Sequence, residues 1–341
     1  MFANLVPVPP VSSTMILDIE LSNNSKKYFP GETVTGKVVF QTTEPVAARF
    51  LKISWKGVTK CDFEGSKENQ HLANYAIPWV AEEGNDEIPI GTHKYRFSFR
   101  IPLDAPPSFR GAFGATNYAI NVELNRPWKF NMEAKKTFFV VPKTCMTESA
   151  PEMMESAKFV THKNSGTLIK DGLFSIKLHF PKRAFMPGET IETMVTMENH
   201  STKSINSLQF ELISQSHYHA QPQKTFCSLK DCLKTCPVPA KYIRNEEHVL
   251  DTGVYHCNVP PGATKQVTVE IDLPRGIPAT FESSMISMGY LVSFSLKNGS
   301  WTNNKLECNA RIVIGNEEKI DGGEEKSKMK EGFAPPPPYS P

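Results

Sequence analysis

Cys227, Cys232 and Cys236 fall within ten residues of one another, and His217 and His219 stand shortly before them. Thiolate and imidazole are the donors that hold zinc. The spacing C-x4-C-x3-C lacks the tight C-x2-C knuckle of most structural zinc sites, so the stretch reads first as a cysteine-bearing loop, and Cys227, Cys232 and Cys236 stand as weak metal candidates. In a strand, His217 and His219 would share one face. No carboxylate follows at a helpful spacing, so two polar histidines on a solvated face are the expectation, with no cofactor.

Other chemistry finds little support. The chain contains no G-x-S-x-G elbow, no P-loop, no G-x-G-x-x-G and no H-E-x-x-H, and a non-enzymatic protein is expected. The segment Pro335 to Pro341 reads P-P-P-P-Y-S-P. Prolines held near the polyproline II helix lose little entropy on binding. Pro336, Pro337 and Tyr339 match the P-P-x-Y pattern that WW domains grip, with prolines in an aromatic groove and tyrosine in a second pocket. A bare proline tract is more often a solvated tail; the tyrosine and the setting favour a ligand. Residues 317–332 alternate acids and lysines with glycines, which predicts a flexible tether.

With 38 basic and 36 acidic residues, the chain carries a net charge of +2 and shows no mark of nucleic-acid binding. Its 341 residues, 39% of them hydrophobic, suit two domains of ordinary size. Seven cysteines, an odd number in a long chain, fit reduced thiols in the cytosol. Met1 to Val11 lacks a basic region and is broken by Pro7, Pro9 and Pro10, which argues against a signal peptide. No apolar run suffices for a membrane span. A soluble, intracellular protein is expected, for which the N-x-S matches at Asn23, Asn199 and Asn298 carry no meaning.

The elements that must position these groups are strands. Met15, Leu17, Ile19 and Leu21 alternate with polar residues, as do Leu51, Ile53 and Trp55, then Tyr95, Phe97, Phe99 and Ile101, then Tyr118, Ile120, Val122 and Leu124. The pattern resumes with Phe174, Ile176, Leu178 and Phe180 and continues through Val292, Phe294 and Leu296. Many short strands with Pro and Gly between them predict antiparallel β-sandwiches. Three echoes in the same order imply two copies of one fold. Pro30-Gly31-Glu32-Thr33 recurs as Pro187-Gly188-Glu189-Thr190, an offset of 157; Gly91-Thr92-His93-Lys94 recurs as Gly262-Ala263-Thr264-Lys265, an offset of 171. Pro106-Pro107-Ser108-Phe109 precedes Tyr118 much as Pro278-Ala279-Thr280-Phe281 precedes Tyr290. In P-G-E-T, proline and glycine (Pro30 and Gly31, Pro187 and Gly188) make a structural turn between the first two strands of each sandwich. The second half's extra length falls in a window containing His217 to Cys236, read as an extended loop.

With tandem sandwiches, each opening on a P-G-E turn, the phrase P-x-x-A-P-P-S-F and the P-P-x-Y tail, the chain resembles an arrestin-domain-containing protein of the α-arrestin branch. The resemblance implies an all-β fold of two immunoglobulin-like sandwiches with a disordered tail. The expected limits are a flexible segment 1–13, a first sandwich 14–142, a linker 143–167 with at most a short helix near Glu152 to Ala157, a second sandwich 168–316, and a tail 317–341. It implies a cytoplasmic adaptor recruited to plasma membrane and endosomes. There it would link cytoplasmic regions of membrane receptors or transporters to a HECT-type ubiquitin ligase through WW domains, promoting ubiquitination and endocytic sorting. Family members commonly carry two P-P-x-Y motifs, and this chain has one. At Lys27 to Gly31 no aspartate is available for the buried charge cluster of the visual and β-arrestin branch. The alternative is a retromer-like scaffold of the same double sandwich without a ligase.

Overall fold

The computed structural model describes residues 14–142, 151–164, 172–223, 236–298 and 305–316. The first half contains β1 (Met15–Leu21), β2 (Lys27–Tyr28), β3 (Thr33–Thr42), β4 (Val46–Ala47), β5 (Phe50–Cys61), β6 (Asn69–Val80), β7 (Glu87–Ile88), β8 (Gly91–Arg100), β9 (Phe109–Gly111), β10 (Gly114–Asn125) and β11 (Met132–Val140). They form a sheet β1-β3-β8 facing a sheet β2-β11-β10-β5-β6, with β9 on β10 and a small β4-β7 pair. The second half contains β12 (Ala157–Asn164), β13 (Gly172–Phe180), β14 (Ala184–Phe185), β15 (Thr190–Ser201), β16 (Ile205–His219), β17 (Ile243–Val259), β18 (Thr264–Asp272), β19 (Ile286–Asn298) and β20 (Lys305–Ile314). Here a sheet β12-β13-β15-β18 faces β14-β20-β19-β16-β17. Among the described residues the only helices are single 3-10 turns at Pro151–Met153 and Ala240–Tyr242.

Alternation decides which face is dry. In β10 the buried positions include Tyr118, Ile120, Val122 and Leu124, and in β5 they include Leu51, Ile53 and Trp55. Their side chains fill the first core, where Trp55 stacks on Phe99 at 4.7 Å. Removing such surface from water is the main favourable contribution to folding, about 25 cal/mol per Å².

The echoed phrases now have physical reasons. Gly31 and Gly188 take φ of 86° and 87°, the left-handed region that a side chain resists. The recurrent glutamate closes each turn: Glu32 Oε2 accepts the Phe29 N–H at 2.8 Å, and Glu189 Oε2 accepts the Met186 N–H at 3.1 Å. Each turn follows a two-residue strand that has crossed to the opposite sheet. There β2 and β14 pair in parallel with the last strand of their sandwich, β11 and β20. In the third echo, the Tyr118 hydroxyl donates to the Pro106 carbonyl and the Tyr290 hydroxyl to the Pro278 carbonyl, both at 2.6 Å and both across 12 residues. Ser108 and Thr280 accept the N–H groups of Val140 and Ile314, each at 3.0 Å, and so fix the final strands.

One expectation is overturned. Residues 157–164, assigned to a linker, form β12, which pairs antiparallel along the whole of β13. Phe159 packs edge-on against Phe180 and anchors it. Val160, the more conspicuous apolar signal, faces solvent, so the local pattern points the wrong way.

The two sandwiches meet along a packed seam. Phe109 and Phe281, the aromatic residues that end the third echo, lie 5.3 Å apart across it. Tyr218, fully buried, packs against Phe113 and Phe109, and its hydroxyl donates to Glu246 Oε2. The same oxygen accepts the Ala112 N–H from the first sandwich at 3.0 Å. Lys67 N–H to the Ala220 carbonyl (2.9 Å) and Arg244 over the Phe63 ring (4.9 Å) extend the contact. Cys61, at the end of β5, is buried in the core of the second half. Burial pushes the Glu246 carboxyl up, but hydrogen bonds from Tyr218, Ala112 and His248 outweigh it and hold the group below the usual carboxylate range.

Two outcomes follow. Tyr118→Phe and Tyr290→Phe each keep the ring but strip a proline carbonyl of its donor. Each is expected to cost about 1–3 kcal/mol, measured as a lower urea midpoint with an unchanged slope. Glu246→Ala removes the acceptor shared by Tyr218 and Ala112 and is expected to cost about 2 kcal/mol in the same measurement. A carboxyl held low contributes stability that is present above its unfolded-state pKa and lost as pH falls through its folded-state value. The native protein should therefore weaken on acidification through and below the ordinary glutamate range, and the Glu246→Ala protein should lose part of that sensitivity.

Candidate functional site

The seam opens on one side into a cleft of about 700 Å³ between the two sandwiches. Phe109, Phe139 and Pro107 line it from the first half, and Met186, Pro187 and Ile277 from the second, with Arg275 at the wall. Of the turn residues singled out in the sequence, Pro187 reaches this cleft, whereas Pro30, Gly31 and Gly188 are not in its lining. The lining is largely apolar with three cations, Lys27, Arg110 and Arg275, a surface suited to a peptide segment.

A second surface was not anticipated. The hairpin between β10 and β11 carries Trp128 at 98% exposure and Phe130 at 93%. Arg126 shapes it, donating from Nε (2.9 Å) and Nη2 (2.6 Å) to the Phe130 carbonyl, and Trp128 sits at φ 59° in the left-handed region. Turns between strands are normally built from Gly, Asn, Asp, Pro and Ser. Two large aromatics in Arg126-Pro127-Trp128-Lys129-Phe130 are therefore a legible sign of recognition.

The histidine pair departs from its expected setting. His217 and His219 end β16 with 1% exposure each, not on a solvated face, because the end of β16 is covered by the chain at Cys236 and by the neighbouring strand β17. Their Nε2 atoms lie 3.0 Å apart, Cys236 Sγ lies 3.4 Å from His219 Nε2, and His217 Nδ1 donates to Asn245 Oδ1 at 2.5 Å. Burial pushes the His219 imidazole down to about 4, the neighbouring His217 adding to the shift. Burial lowers His217 also, against the hydrogen bond to Asn245. Of the three cysteines named as weak metal candidates, Cys236 joins this cluster; Cys227 and Cys232 lie outside the described residues.

The other described thiols are free and buried: Cys61, Cys257 and Cys308. Burial, with the Asp62 charge, pushes the Cys61 thiol up to about 12, which keeps it protonated and unreactive. Asn199, one of the N-x-S matches, is fully buried, its amide donating to the Lys203 and Val259 carbonyls at 2.8 Å and its oxygen accepting from Ser201. Pro336, Pro337 and Tyr339 lie outside the described residues. No helix among the described residues is long and apolar enough to cross a membrane.

Comparison with known proteins agrees with this architecture. Residues 17–146 match the family description "Arrestin (or S-antigen), N-terminal domain", and residues 170–319 match "Arrestin (or S-antigen), C-terminal domain". The chain is 25% identical over 301 residues to "Arrestin domain-containing protein 17" of Caenorhabditis elegans, covering 82% of this chain and 67% of that protein. It is 25% identical over 218 residues to "Arrestin domain-containing protein 1" of Homo sapiens, covering 60% of this chain and 48% of the relative. Human "Thioredoxin-interacting protein" is 26% identical over 201 residues, covering 55% of this chain and 51% of the relative. The chain thus spans about two thirds of the worm relative and about half of the human ones. Two facing-sheet sandwiches, joined at an aromatic seam and matched in turn by the N- and C-terminal arrestin domains, make this chain a member of the arrestin family, homologous to the arrestin domain-containing proteins.

Proposed function

We propose that this chain is a non-enzymatic intracellular adaptor that couples membrane cargo to a WW-domain ubiquitin ligase of the HECT type, and so promotes cargo ubiquitination and endosomal sorting. The observation that carries the reading is the P-P-x-Y motif at Pro336, Pro337 and Tyr339, placed after two arrestin domains and a charged, glycine-containing segment. The domains supply a rigid surface for a receptor or transporter tail, and the motif supplies the ligase. A single short ligand binds weakly because it buries few atoms. Clustering of cargo-bound copies offsets this, since linked binding events can raise avidity by roughly 10²-fold or more. Trp128 and Phe130 are the candidate contacts to cargo or to the membrane surface beside it.

If the tail binds no WW domain, the double sandwich is better read as a trafficking scaffold without a ligase. Titration of the full chain into isolated WW domains separates the two. Tyr339→Ala removes the aromatic anchor and is expected to weaken binding by roughly 30-fold, or about 2 kcal/mol. Absence of saturable binding by the native chain would exclude ligase recruitment through this motif. Phosphorylation of Tyr339 should weaken binding too, because a doubly charged group would enter a pocket shaped for a neutral phenol; a phosphorylated tail that bound equally well would refute this. The double variant Trp128→Ala, Phe130→Ala should leave stability within about 0.5 kcal/mol, both side chains being exposed. It should reduce recruitment to cargo-bearing membranes, scored by fractionation of cells.

A further inference from the structure

We propose that His217, His219 and Cys236 bind one zinc ion at the end of β16, beside the interdomain seam. The three donor atoms all lie within 4.8 Å of one another. Zinc bonds of about 2.0–2.1 Å to nitrogen and 2.3 Å to sulfur, in a tetrahedron, place neighbouring donors about 3.3–3.6 Å apart. The two nitrogens stand at 3.0 Å, the His219 nitrogen and the sulfur at 3.4 Å, and the third pair within 4.8 Å, so movement of the rings and the thiol toward a common centre admits the ion. Two imidazoles and a thiolate make a donor set that suits zinc and not magnesium or calcium.

Orientation supports the assignment independently of distance. An amide oxygen only accepts, so the Asn245 contact leaves the hydrogen of His217 on Nδ1 and turns the Nε2 lone pair toward His219 and the cluster. Metal-bound histidines are held in this way by an acceptor behind the ring. Both rings are shut off from water, and the cluster of donors contains no carboxylate to take a proton from them. A cation between the donors replaces the contacts that the two imidazoles and the sulfur make with one another and engages all three at once.

The position gives the ion a structural task. His217 and His219 flank Tyr218, whose ring and hydroxyl sit in the seam, and Ala220 follows with its carbonyl on Lys67. Zinc here ties the chain at Cys236 to the end of β16 and stiffens the strand that meets the first sandwich.

The test uses the purified full chain. Metal analysis after exhaustive dialysis should find about one zinc per chain, and cobalt(II) reloading should give the intense visible bands of a tetrahedral site with a thiolate charge-transfer band. Chelator treatment should lower the melting temperature by at least about 4 °C, reversed by zinc alone. Cys236→Ser and His219→Asn, each checked for native circular dichroism, should lose zinc affinity by more than about tenfold. A metal-free native chain whose melting is indifferent to zinc would overturn the proposal, as would full zinc retention by both variants. Should either variant fail to fold, the cobalt spectrum of the native chain decides: weak octahedral bands without thiolate absorption would overturn the site.

Discussion

The hydroxyl of Tyr218 and the carboxylate of Glu246 meet where the two sandwiches meet, and the relative placement of the halves depends on that pair being satisfied. A carboxylate withdrawn from water is tolerated when donors surround it. Here the second sandwich supplies the carboxylate and the phenol, while the first supplies the Ala112 N–H and the Phe109 and Phe113 rings that close over them. Sliding one half along the other would leave the Ala112 N–H without its acceptor and take the Phe109 and Phe113 rings off Tyr218, so a directional polar contact fixes the register that apolar packing alone leaves loose.

The same logic operates within each half. Pleated strands alternate, and a sandwich needs both inner faces apolar, so strand register follows from the buried residues. The connections then need places where the chain may reverse. Gly31 and Gly188 give the conformation, and Glu32 and Glu189 close the turn by taking up backbone N–H groups that would otherwise lie idle. Tyr118 and Tyr290 fasten the next connection back to the sheet.

The strands were legible because their signal is local: Tyr118, Ile120, Val122 and Leu124 state their own face. The turn glycines were legible for the same reason, whereas the role of the following glutamate was not, since its partner is a backbone group that no residue code records. β12 escaped because its anchoring residue is one aromatic, Phe159, beside an outward Val160. The burial of His217 and His219 could not be read either, because whether a polar side chain at a strand's end is dry depends on what folds over it. Cys236 is 17 residues from His219 in sequence and 3.4 Å from it in space. Trp128 and Phe130 could have been found from their presence in a turn.

Register relates the halves more closely than the echoes alone. Gly114 pairs with Cys61 in the first sandwich, and Ile286, its counterpart 172 residues on (286 − 114), pairs with Tyr218 in the second. Cys61 and Tyr218 thus occupy equivalent places, and each reaches into the opposite half: Cys61 into the second core, Tyr218 onto Phe109 and Phe113. Phe109 and Phe281, also 172 apart (281 − 109), touch each other directly. A residue that meets its own counterpart marks a twofold axis, and in an assembly of two identical chains such a contact would be isologous. The seam therefore has the geometry of a homodimer interface written into a single polypeptide. With both copies on one chain, each side is free to change alone, which is how a cysteine can stand on one side of the axis and a tyrosine on the other.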